Sequence, residues 1–129
     1  MHSLVLIFLA LPQQPAVITL DNVPPVVVST RPVAGADGVP FTTNQVQVTF
    51  SKSMRDKSWS WVQVSKETFP SLAGQPRYLK NGKTCTVPVR LESGKIYAIW
   101  LNTPKFNHFR DRQGRSAVPY LLVFRTTDK

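Results

Sequence analysis

The segment Gln45-Val-Gln-Val-Thr-Phe50 constrains the fold more than any other, because Val46, Val48 and Phe50 fall on one side and Gln45, Gln47 and Thr49 on the other. A strand points successive side chains to opposite faces, so this pattern belongs to a strand with one face in a core and one in water. Similar runs recur along the chain, each closed by a turn cluster. Val26–Thr30 is β-branched and precedes Ala34-Gly-Ala-Asp-Gly38, while a polar bend at Ser51–Lys57 leads to Trp59–Val64. A short strand around Arg77–Leu79 runs into the strong turn signal Asn81-Gly82, and Thr84–Leu91, Ile96–Leu101 and Val118–Thr126 come after it. The expectation is an all-β chain of about seven strands forming a sandwich or small barrel. No stretch has the length and period of a good helix, and 11 prolines argue for turns in its place.

With 129 residues the chain fills one domain and not comfortably two. Its first part reads differently. Leu4–Leu11 is apolar and uncharged, followed by the turn-prone Pro12-Gln-Gln-Pro15 and the small Ala16, an order that resembles a secretory signal. Residues 1–22 are therefore expected to be a signal peptide and linker, and residues 23–129 the sandwich. The run is too short to span a bilayer as a helix, so a secreted or cell-envelope protein without a stable membrane span is expected. The alternative is an N-terminal apolar strand of a cytoplasmic protein: only His2 stands where a signal carries Lys or Arg, and no clean A-x-A site comes after the run.

Cys85 is the single cysteine, which excludes an internal disulfide, and with only His2 and His108 beside it no Cys/His zinc cluster can form. It alternates with Val87, Val89 and Leu91, as a core thiol would. Pro88 in the same run cannot donate to a ladder and points to an edge strand or a bulge.

The segments Pro24-Pro25-Val-Val-Val-Ser-Thr-Arg-Pro32, Gly38-Val-Pro40 and Val46-Gln-Val-Thr-Phe-Ser-Lys-Ser-Met54 resemble the opening of bacterial Ig-like domains of the S-layer-protein SbsA type. Asp111-Arg-Gln-Gly114 and Tyr120-Leu-Leu-Val-Phe-Arg-Thr126 are similar to that family's acidic-glycine turn and closing strand. The resemblance covers nearly all of residues 24–126 and implies an immunoglobulin-like β-sandwich. Leu91-Glu-Ser-Gly94-Lys-Ile-Tyr97 independently suits a tyrosine corner, which makes Tyr97 structural. The resemblance also suggests an acidic bend after the Val48–Phe50 strand. Here Lys52 and Arg55 stand with only Asp56, a poor set for calcium, so no metal or cofactor is expected.

His108 and Asp111 are the only pair that could serve a serine as an acid–base unit, and no G-x-S-x-G elbow, phosphate loop or metal spacing accompanies them. The chain is not expected to be an enzyme. Asp111 and Gly114 read as a turn staple, a carboxylate accepting backbone N–H groups and a glycine at positive φ. Sixteen Lys and Arg against seven Asp and Glu give +9, a field that attracts polyanions. Basic and aromatic residues interleave in the loop 102–116, where Lys105, Phe106, His108, Phe109, Arg110, Arg112 and Arg115 are candidate ligand contacts. Phe106 and Phe109 could equally cap the core. Trp59 and Trp61 share a face that is either core or a sugar platform; at least one of the two, with Trp61 read as structural, is expected to be buried. The leading reading is a non-catalytic extracellular or cell-envelope module for spacing or for contact with another protein or a cell-surface polymer. Its alternative is a binder of acidic glycans or other polyanions through loop 102–116, with nucleic acid disfavoured.

Overall fold

The computed structural model describes residues 17–129, so the apolar run of residues 4–11 lies outside the described residues. Among the described residues eight strands form two antiparallel sheets: β1 (Val27–Arg31), β2 (Gln45–Phe50), β3 (Trp61–Gln63), β4 (Ser71–Leu72), β5 (Arg77–Tyr78), β6 (Thr84–Arg90), β7 (Ile96–Leu101) and β8 (Tyr120–Arg125). One sheet has the order β1-β2-β6-β4 with β5 also on β6, and the other has the order β3-β7-β8. The fold is an all-β sandwich. β4 falls between the expected strands Trp59–Val64 and Arg77–Leu79, where its two exposed residues carry no alternation. The last strand begins after Pro119, two residues later than expected.

The core follows the period of two. Val46, Val48 and Phe50 of β2 meet Cys85, Val87 and Val89 of β6, with Tyr97, Ile99 and Leu101 of β7 and Leu122 and Phe124 of β8 opposite them. Burial pushes the Cys85 thiol up to about 12, so it stays protonated and inert. Thr84 and Thr86 are buried as well, because β6 has neighbours on both sides; their hydroxyls reach Thr49 Oγ1 at 2.9 Å and Gln45 Oε1 at 3.3 Å.

Pro88 lies inside this central strand, where its missing donor would normally break a ladder. Val89 N donates toward β2, to Asn44 O, so the Pro88 nitrogen faces the other way. On that side the partner of β6 changes from β5, ending at Arg77↔Thr86, to β4, beginning at Leu72↔Val89. The proline therefore sits at a local edge. Gly74 completes the arrangement, since a Cβ there would come within 3.0 Å of Pro88 Cγ.

After β1 the chain crosses to the second sheet and covers the outer edge of β8: Gly35 N donates to Val123 O, Arg125 N to Ala36 O and Val39 N to Arg125 O. β3 pairs only with β7, and among the described residues no strand covers its outer edge. Entry and exit lie at opposite ends. Val118 N donates to Pro25 O beside the start of β1, whereas Thr127 N donates to Val39 O and Gly94 N to Thr127 O at the far end.

That far end is pinned by Tyr97, which is 1% exposed, stacks on Phe124 at 5.5 Å and accepts the Glu92 N–H on its hydroxyl at 2.8 Å. Thr126 Oγ1 donates to Glu92 O and accepts from Lys95 N, so one corner ties β6, β7 and β8 together. Tyr97→Phe strands the Glu92 N–H and is expected to cost about 1–3 kcal/mol in urea unfolding. An unchanged midpoint would mean that water or another acceptor replaces the phenol.

Candidate functional site

At the entry pole three loops, residues 51–60, 79–83 and 102–119, are organised around one carboxylate. Asp111 is 0% exposed. Its Oδ1 accepts the backbone N–H groups of Gln113 (3.0 Å) and Arg115 (2.8 Å), and its Oδ2 lies 2.8 Å from Lys52 Nζ and 3.7 Å from Arg115 Nη1. Burial pushes this carboxyl up, but the Lys52 ammonium and the two backbone donors outweigh it and hold the group below its ordinary range. Lys52 Nζ also donates to the carbonyls of Asp21 (2.7 Å) and Val23 (3.2 Å), and Arg115 Nη1 donates to Asp21 O at 3.1 Å. The carboxylate thus clamps the incoming chain through two cations.

The backbone joins the loops into one surface. Met54 N donates to Gly82 O and Arg55 N to Arg110 O, both at 2.8 Å, and Met54 bridges to Asp111. Gly114, at φ 87°, turns the loop beneath the Arg55 side chain, where a Cβ would meet Nη2 at 3.1 Å. Arg55, Lys57, Lys80, Lys83 and Arg112 are exposed on this surface. Asp56 is the one exposed acid in those loops, and its Oδ1 caps Lys57 N. Because Asp111 is buried and neutralised by Lys52, it does not offset the outward field, and the pole is strongly basic. Four of these five cations, Arg55, Lys57, Lys80 and Lys83, lie outside the loop singled out from sequence. Their signal was present as two basic turns, but only sheet order brings them beside residue 112.

Within loop 102–116 the candidate contacts separate. Phe109 is 0% exposed and packs on Phe50 at 5.0 Å and Trp61 at 5.4 Å; it is a core residue and not a ligand contact. Asn102, which sequence reasoning missed, explains why. Held at φ 68°, its side chain accepts Phe109 N and donates to the carbonyls of Phe109 and Ala117, a stitch that pulls the loop inward. The Arg110 guanidinium bonds back to Asn107, and Arg115 is committed to Asp111 and Asp21. Arg112 and His108 are exposed, while Lys105 lies 5.4 Å over the ring of Phe106, which is 50% exposed. His108 and Asp111 form no acid–base unit, since both carboxylate oxygens are occupied by other groups. Among the described residues no group of three His, Cys, Asp or Glu could hold a metal ion.

Phe106 faces a cleft of about 500 Å³ at the open side of the sandwich, lined also by Trp59, Trp61, Val62, Phe69, Leu72 and Pro76. The tryptophans take the core face and Val64 points outward, 48% exposed. The expectation that at least one of the pair is buried needs correction: both are half-buried, packed against the core. β3 is an uncovered edge, so a side chain aimed at the core from it keeps one flank in water. Trp59 packs on Tyr78 at 6.3 Å and Trp61 on Phe109, so each ring leans on a different core partner.

Comparison with known proteins gives a consistent picture. The family model described as bacterial Ig-like domain matches residues 21–126. The structure of surface layer protein SbsC, domains 1–6, is similar at TM-score 0.52 and 21% identity, covering 83% of this chain and 14% of that one. The S-layer protein rSbsC(31–844) gives 0.51 and 22%, with 83% and 14% covered. The N-terminal part of SbsC gives 0.51 and 21%, with 81% and 24% covered. This chain thus spans a small part of the S-layer chains whose fold it shares. No curated protein matches it.

Lys52→Met leaves the buried Asp111 carboxylate with only the more distant Arg115 as counter-ion and releases the Val23 carbonyl; a loss of about 3 kcal/mol is expected in denaturant unfolding. The carboxyl is more acidic folded than unfolded, so its contribution is present at neutral pH and is lost as pH falls through its folded value, below the ordinary carboxylate range. The stability gap between wild type and Asp111→Asn should therefore narrow in that range. A gap constant with pH would mean that the charge of Asp111 contributes nothing.

Proposed function

Because the chain belongs to the bacterial Ig-like domain family, we propose that it is a non-catalytic structural module of the cell surface that holds its two flanking segments at a set separation. The observation that carries this reading is the placement of entry and exit at opposite poles, with the entry clamped by Lys52 and Arg115 and the exit by Val39 and the Tyr97 corner. Between them run six-residue strands, each about 20 Å long. The similarity in fold to domains of surface layer proteins supports a surface setting. Spin labels at Asn22 and Asp128 should give a narrow distance distribution, broadened by Lys52→Ala; a broad distribution in the unaltered chain would remove the spacing role. A membrane-impermeant amine reagent should label the protein on intact cells, and labelling only after lysis would remove the surface setting.

A second reading, binding of acidic glycans or other polyanions, is favoured by the basic pole. It draws less on loop 102–116 as a whole than on Arg112 together with Arg55, Lys57, Lys80 and Lys83. Replacing Arg55, Lys57 and Arg112 by Ser should move elution from a sulfated resin to markedly lower salt, as fewer counterions are released on binding. Elution at unchanged salt would place charge binding elsewhere.

A further inference from the structure

The segment that enters the domain carries apolar side chains onto the basic pole. Residues 19–22 form a self-bonded turn: Thr19 N donates to Asn22 Oδ1 at 2.9 Å and Asn22 Nδ2 to Val17 O at 2.6 Å. The Asp21 carbonyl of this turn is the one gripped by Lys52 and Arg115, so the turn sits directly against the cationic surface. Val17, Ile18 and Leu20 are 75%, 80% and 68% exposed. The cations are hydrated and Asp21 is the one exposed acid of the turn, but three exposed aliphatic groups beside a basic surface mark a contact site.

Three kinds of anionic partner would treat this surface differently. A hydrophilic polymer satisfies the cations and leaves the aliphatic groups in water. A single-stranded nucleic acid needs aromatic faces beside the cations, whereas in residues 51–60, 79–83 and 102–119 Phe109 is core and Trp59 and Phe106 line the cleft on the flank. An anionic bilayer takes both components, with lipid phosphates against the cations and the headgroup–acyl boundary around the aliphatic side chains.

The geometry points to an anionic lipid bilayer surface as the partner of this pole, with Ile18 and Leu20 entering the interface and Arg55, Lys57, Lys80, Lys83 and Arg112 lying on lipid phosphates. The inference rests on the second reading above, that the pole binds anions, and names the surface it binds. The sandwich then stands on the membrane by its entry pole, and the exit at Thr127 points away from it.

The test uses the full chain and sedimentation with vesicles of phosphatidylcholine alone or of phosphatidylcholine and phosphatidylglycerol in equal parts. Any affinity that residues 4–11 lend to neutral vesicles is common to every variant and cancels in the ratio. Arg55→Ser, Lys57→Ser, Lys80→Ser and Arg112→Ser combined should reduce the preference for anionic vesicles by about fivefold per cation removed. Ile18→Ser with Leu20→Ser should weaken binding to anionic vesicles roughly tenfold, with tryptophan emission confirming that each variant is folded. The proposal is overturned if the four-charge variant keeps the anionic preference, or if the Ile18 and Leu20 changes leave vesicle binding unaltered. Pole-dependent retention on a sulfated resin without any preference for anionic vesicles would overturn the bilayer and leave the polyanion reading standing. Absence of both would remove both.

Discussion

A carboxylate with no access to water governs the entry pole. An ion taken out of water costs several kcal/mol unless charge and hydrogen bonds replace its hydration. Asp111 meets that demand with Lys52 on one oxygen and two backbone N–H groups on the other. Each partner belongs to a different piece of chain: Lys52 comes just after β2, the N–H groups lie in the β7–β8 loop, and Lys52 itself carries Asp21 and Val23. Satisfying one buried group therefore fixes three segments at once. The chain's entry is thus held by this ion cluster as well as by the buried Pro25 and by Val27 packed on the core.

The same neutralisation shapes the outer surface. Were Asp111 exposed, it would partly cancel the arginines around it; buried with Lys52, it leaves Arg112, Arg55 and their neighbours facing water together. Asn102 acts in parallel by a neutral route, since its amide closes on Phe109 and Ala117 and turns an aromatic ring of the same loop into core. The loop thus divides its chemistry, with one phenylalanine in the core, another at the cleft and Arg112 on the pole.

Strand β2 could be read to the residue, because one of its faces is wet and the other dry and alternation is unambiguous under that condition. The tyrosine of Leu91–Tyr97 was legible for a similar reason, as a corner glycine followed by a phenol has a local geometric use. Family resemblance to bacterial Ig-like domains could be read from ordered short motifs, and the family model agrees over residues 21–126. The features that stayed hidden depend on neighbours far along the chain. β4 exists only because Val89 and Arg90 offer it a ladder, and Pro88 is tolerated inside β6 because the opposite partner changes there. Phe106 and Phe109 look alike in sequence and differ in fate through Asn102. Lys52, read from sequence as an obstacle to calcium, is the counter-ion of a carboxylate about sixty positions away, a pairing that no local pattern encodes.

The flank cleft and the basic pole are unlike, and the difference follows from topology. The residues after β1 cover β8, but among the described residues nothing covers β3, so the aromatic side chains of that edge face an uncharged cleft on the flank. The cations, in contrast, sit on turns between strands, where side chains need not enter either sheet and charge is free of desolvation cost. Flank and pole are therefore chemically separate surfaces, the one aromatic and nearly neutral, the other basic with aliphatic groups beside it. A partner that uses the pole leaves the flank free, which is the arrangement a module needs if it is to stand on one surface and still meet a neighbour sideways.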